Sequence, residues 1–175
     1  AQTPQRLRHA NAMTRGTRWF LFLLFFASGF SSLVYQVVWT RMAFAAFGII
    51  TPVLSVVLSV FMLGLAIGSW AVGRCVTDWV KRTGYSAIFF YAAAEALIGV
   101  GAVAVPWLFA LGQRLLLSAG QTNSFGYLAV SALVLAGSIL PWCVCMGATF
   151  PLMMAFVRER DATFADSFSH LYLAN

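Results

Sequence analysis

The sequence predicts an all-α fold: a polytopic transmembrane helical bundle of about four spans, with both ends in the cytoplasm. Three observations lead there. Of the 175 residues, 61% are hydrophobic and only 9% are charged, whereas a soluble domain is about half apolar and about a quarter charged. Mean hydropathy is accordingly high, at +0.85. Apolar runs of the roughly 20 residues that a bilayer core requires recur along the chain. The eleven Lys and Arg fall in short clusters between those runs, which is how topology signals are distributed. With 16 Phe and 6 Trp besides, the composition excludes a soluble enzyme, a disordered tail and a nucleic-acid-binding domain.

Residues 1–18 form a basic arm carrying Arg6, Arg8, Arg15 and Arg18. The membrane domain then covers 19–157. Span one is expected over 19–38, with Trp19 and Trp39 as interface anchors. Span two runs over 51–72, where Pro52 suits a helix's first turn and Trp70 lies near the far end. Span three runs over 85–108, with Pro106 and Trp107 at its exit. Span four runs over 125–146. Pro141 and Pro151 interrupt the apolar run there, so a break and then a short helical stretch to 157 are expected. Residues 158–175 read as a cytoplasmic linker and the start of a further helix, because Phe164, Phe168 and Leu171 are spaced i, i+4, i+7.

Charge sets the orientation. Arg6, Arg8, Arg15, Arg18, Arg74, Lys81, Arg82, Arg158 and Arg160 fall on one side, against Arg41 and Arg114 on the other. The positive-inside rule places the larger group in the cytoplasm. The chain is thus expected to be a multi-pass membrane protein with its N-terminus cytoplasmic. Its partners are the lipid bilayer and other membrane helices or a larger membrane complex, with no nucleic acid.

Glu95 is the acidic side chain deep in a span. About ten residues at about 1.5 Å each from Tyr85 bring it near the midplane, where an unpaired charge is costly. It reads either as a proton or cation site or as a protonated acid hydrogen-bonded to another helix. Gln36, beside Tyr35 in the outer part of span one, is a second intramembrane polar candidate suited to an interhelical hydrogen bond. Arg74, Asp78 and Arg82 follow at i, i+4, i+8 on one helix face, as an ion-pair row or as a clamp between two spans. Small residues four apart, Ser28 with Ser32, Ser55 with Ser59 and Gly64 with Gly68, are expected to bring helices close within the bundle.

No catalytic, cofactor-binding or metal site is expected in these residues. Cys75, Cys143 and Cys145 have no C-x-x-C spacing, and a cysteine in an apolar run is mostly a small packing residue. His9 and His170 lack neighbouring ligands with metal spacing. Glu159, Asp161 and Asp166 alternate with arginines in the manner of a hydrated linker. Gly99 and Gly101 fall in an apolar helix with no preceding strand, so they make no dinucleotide turn.

Several stretches resemble the bacterial fused major-facilitator/spermidine synthase-like membrane proteins. Residues 28–41 (SGFSSLVYQVVWTR) are similar to that family's first span. Residues 64–69 (GLAIGS), with Gly73, Arg74 and Asp78, are similar to its second span and following loop. Residues 91–99, with Glu95, resemble its third span. Residues 146–151 (MGATFP) and 171–175 (LYLAN) resemble the stretch leading into a further span. Asp78 stands five residues after Gly73 where the family usually has four, and Gln36 stands where many relatives have Glu. The resemblance implies a membrane module ahead of a soluble aminopropyltransferase-like domain, whose Gly-rich loop and catalytic Asp residues have no counterpart here. The expected role is therefore anchor or scaffold, with catalysis only in a longer parent chain. The alternatives are a small accessory subunit of a larger membrane complex, or part of a transporter for small cations or polyamines.

Overall fold

The computed structural model describes residues 14–48, 51–118 and 124–160. These form four helices: α1 (Arg15–Phe47), α2 (Thr51–Thr83), α3 (Ala87–Ser118) and α4 (Ser124–Arg160). Each is long and apolar enough to cross a membrane. All are longer than the roughly 20 residues a bilayer core requires, so their ends tilt or project beyond the hydrocarbon. The polar arm at 1–13, with Arg6, Arg8 and His9, and the linker at 161–175, with Asp161, Asp166, Phe164, Phe168, His170 and Leu171, lie outside the described residues.

The ends of the helices follow from local chemistry. Thr14 is extended (φ −63°, ψ 153°), and its hydroxyl accepts from the Thr17 backbone N–H at 3.3 Å, a standard N-cap. Gly48 closes α1 at φ +98°, with its N–H on the Phe44 carbonyl at 3.0 Å. Gly84 ends α2 in the same way at φ +72°, bonding Val80 at 3.0 Å. Both positions use a backbone region that disfavours a side chain. The basic segment after span two is therefore not a loop but the last turns of α2, and only residues 84–86 link it to α3.

The expected break in span four does not occur: α4 continues through Pro141 and Pro151. A proline ring presses on the carbonyl four residues back. Here those residues are Gly137 and Gly147, whose missing Cβ lets the backbone give locally without breaking.

α4 is the centre of the bundle. It makes its most extensive contact with α2 and its next with α3, whereas α2 and α3, though consecutive, meet mainly through it. α1 packs on the outside, leaning chiefly on α3 and α2, and buries least of its span. One core cluster joins Trp39, Ala43 and Phe47 of α1 with Val53 and Phe61, Val105 and Phe109, and Leu135 and Ile139. The other joins Leu21 with Val72 and Val76, Ala87 and Tyr91, and Leu152 and Val157. The helices thus run alternately up and down, and the described chain starts and finishes at the same end. That end carries Arg15, Arg18, Arg74, Lys81, Arg82, Arg158 and Arg160, while Arg41 and Arg114 lie at the other.

Trp39 departs from its expected place. It is 1% exposed, packed in the core beside Tyr35 at a ring separation of 5.2 Å. Trp19, Trp70 and Trp107 are exposed. The reason is angular: Trp39 shares the inward stripe of α1 with Ala43 and Phe47, at i, i+4, i+8.

Candidate functional site

A polar cluster lies where α1 crosses α3. Ser28, midway between Trp19 and Trp39, is buried at 8% exposure because α1 leans on α3 there. Across from it stands Tyr91, 3% exposed, whose hydroxyl lies near both Ser28 and Glu95. Tyr91 and Glu95 are one turn apart on α3, so the phenol and the carboxyl share a face. The Tyr91 hydroxyl and Glu95 Oε1 are both buried without a hydrogen-bond partner among the described residues.

Glu95 Oε1 accepts no hydrogen bond from another helix among the described residues, and the Tyr91 hydroxyl near it belongs to its own helix. A buried polar atom without a partner costs about 1–3 kcal/mol, and side-chain rotation of Tyr91 or Glu95 is the local means of recovering it. Chemically, the pair sets a carboxyl oxygen and a phenol side by side on α3, with the Ser28 hydroxyl of α1 near the phenol. Sequence reasoning missed Tyr91, although its position four residues before Glu95 was a readable signal.

Gln36 is half-buried on α1, and its carbonyl accepts from the Thr40 hydroxyl at 2.7 Å. Ser32 donates to the Ser28 carbonyl at 3.1 Å and Ser31 to Ala27 at 2.8 Å. These hydroxyls satisfy themselves on their own helix rather than reaching across.

The closest approach of two helices is between α2 and α4. A Cβ on Gly64 would run into the Cys143 side chain, with Cys143 backbone atoms at 3.2 and 3.3 Å. One on Gly68 would land on the Val144 carbonyl oxygen, with the Ala148 nitrogen 3.0 Å away. One on Gly147 would meet the Leu65 carbonyl, with Leu65 Cα at 2.7 Å. Backbone meets backbone here, and only glycine permits it. Ser55 and Ser59 differ from expectation, for both are exposed. They sit on the side of α2 turned away from Val53, Val57 and Gly64, the residues that face the bundle. Cys143 is fully buried and unpaired, and Cys75 and Cys145 are half-buried and unpaired. Among the described residues no three His, Cys, Asp or Glu gather to hold a metal ion.

At the basic end, Glu159 reaches from α4 to the start of α3. Its Oε2 accepts from the Ser86 hydroxyl at 2.6 Å and its Oε1 from the Ala87 backbone N–H at 3.2 Å. α3 has no acid in its own first turn. The carboxylate from α4 therefore supplies the cap and the negative charge that a helix N-terminus favours. Sequence reading placed Glu159 in a hydrated linker; the partners are about seventy residues apart, at a distance no spacing rule reaches. Arg74 lies over the Trp70 ring at 4.5 Å, while Asp78 and Arg82 are exposed on the same side of α2. The row is a solvated face, with Arg74 turned back on its own helix.

No protein-family model, curated protein or solved structure matches this chain.

Proposed function

We propose that the chain is the integral membrane module of a spermidine synthase-like, polyamine-related protein of the bacterial inner membrane. Its N-terminus is cytoplasmic, and it acts as anchor and scaffold with no catalysis in these residues. The observation that carries this reading is the α2–α4 seam. Residues 64–69 and 146–151, two of the stretches that resemble the fused synthase-like family, lie against each other there, at Gly64, Gly68 and Gly147. Their shared small residues thus serve rigid helix packing, which an anchor needs. The purified chain is expected to transfer no aminopropyl group from decarboxylated S-adenosylmethionine to putrescine. A soluble reporter joined after Asn175 is expected in the membrane fraction and protected from protease added outside intact cells. Turnover by the purified chain, or a reporter digested from outside, overturns the reading.

Two observations favour other roles. Phe22, Phe26 and Phe30 stand exposed at i, i+4, i+8 on α1, a face suited to a partner helix and so to an accessory subunit. The Tyr91–Glu95 pair, in which Tyr91 and one Glu95 oxygen are buried, suits part of a transporter for small cations or polyamines. Putrescine uptake into proteoliposomes, abolished by Glu95→Gln in a folded chain, would select the transporter.

A further inference from the structure

A groove of about 590 Å³ opens between the C-terminal halves of α2 and α4, at the basic end of the bundle. Lys81 and Arg158 stand at its mouth, and Val76, Val80, Phe150 and Met154 line its depth. The two cations are exposed, whereas Val76 and Met154 are buried. Neither Lys81 nor Arg158 is ion-paired among the described residues. Glu159 also lines the groove; its oxygens accept from Ser86 and Ala87 of α3 and are held toward that helix, and against its one negative charge the two cations leave the mouth net positive. From Lys81 back to Gly73, and from Arg158 back to Phe150, each wall descends eight residues, about 12 Å along a helix. Gly73 leaves the space open: a Cβ there would meet only Pro151, at 3.9 Å.

A charged rim above an apolar slot of this depth, at the end of membrane-spanning helices, matches a molecule with an anionic head and a hydrocarbon body. We propose that this groove binds one anionic phospholipid. Its phosphate sits between Lys81 and Arg158, and the upper part of an acyl chain lies along Val80, Phe150 and Met154. Basic pockets between helices at a membrane surface hold lipid head groups by this combination of charge and depth. The groove commits to a lipid over free phosphate because most of its wall is apolar and offers an inorganic ion nothing.

The test is native mass spectrometry of the full chain in detergent, titrated with phosphatidylglycerol or with phosphatidylcholine of the same acyl chains. One phosphatidylglycerol is expected to bind ahead of any phosphatidylcholine. Lys81→Gln and Arg158→Gln are each expected to weaken it about fivefold, and the pair about 30-fold, at the usual contribution of a basic residue near anionic lipid. The double variant Arg74→Gln, Arg82→Gln removes the same charge from the same end but away from the groove, and is expected to change affinity less than twofold. Gly73→Leu fills the slot with both cations intact and is expected to abolish the single tight site. Equal loss in the Arg74/Arg82 variant would reduce the effect to diffuse surface attraction and overturn the proposal. So would equal binding of phosphatidylcholine, unchanged binding in Gly73→Leu, or displacement of the lipid by millimolar inorganic phosphate. All five exchanged residues are exposed, and an unchanged melting temperature establishes that each variant is folded.

Discussion

Gly68→Ala is the sharpest test of how this bundle is held together. In water, alanine is favoured over glycine inside a helix by about 1 kcal/mol. At this position the added methyl falls on the Val144 carbonyl oxygen, with the Val144 carbonyl carbon 2.9 Å and the Ala148 nitrogen 3.0 Å away. These are backbone atoms of α4, so no side-chain rotation relieves the clash. The helices must move apart by about 1 Å to reach ordinary carbon contact near 3.5–4.0 Å, and a gap of that order forfeits up to about half of each neighbouring contact. Between membrane helices there is little hydrophobic drive to compensate. Overpacking of this kind costs about 1–3 kcal/mol, so a net loss of about 2 kcal/mol is expected. Gly99→Ala, where a Cβ meets nothing within 4 Å, is the control and is expected to be neutral or slightly stabilising. The assay is unfolding of the purified chain in mixed micelles with increasing dodecyl sulfate, followed by circular dichroism. If Gly68→Ala unfolds at the same detergent fraction as Gly99→Ala, the seam does not hold the bundle and the reasoning fails.

Glu95→Leu is expected to be neutral or to stabilise the bundle by up to about 1 kcal/mol, because it removes a buried oxygen that has no partner. A loss above 1 kcal/mol in the same unfolding assay would mean that the carboxyl is bonded after all. Glu159→Ala should cost about 1 kcal/mol through loss of the cap on α3, with faster hydrogen exchange confined to the amides after Ala87; Glu159→Gln, which keeps one acceptor, should fall between. Gly101→Ala should cost less than Gly68→Ala, since its Cβ meets the Trp142 ring at 2.8 Å, a side chain that can shift. Cysteines placed at Arg82 and Arg114, in a chain with its three native cysteines replaced, should be labelled from opposite sides of the membrane, and labelling from one side would refute the alternation of the helices.

Four apolar runs and the spacing of the cations were enough to read four helices and to sort the cations of the described residues between two ends. Both are one-dimensional properties: a helix must satisfy its own backbone in lipid wherever its neighbours lie, and charges stay at the ends because moving them inward is costly. What a run of residues did not reveal was rotation about each helix axis. Gly64 and Gly68 face α4, while Ser55 and Ser59, equally small and equally spaced, face out. Trp39 turns inward and Trp19 outward for the same reason. In lipid both faces of a helix are apolar, so the contrast that marks the buried side of a soluble helix is missing. The proline rule misled in span four because the glycine four residues before each ring lies outside that rule.

The candidate sites divide along the same line. Glu95 stood out in the sequence because a carboxyl in an apolar run is rare. That Ser28 comes to the Tyr91 hydroxyl one turn away from it depended on α1 crossing α3 at that height. Glu159 as the cap of α3, and Lys81 with Arg158 above one apolar slot, join residues from helices that α4 alone brings together. Membership of a span is settled locally, by transfer of each residue between water and lipid. Which side chains meet is settled by helix packing, where contacts depend on fractions of an ångström and on partners far away in the chain.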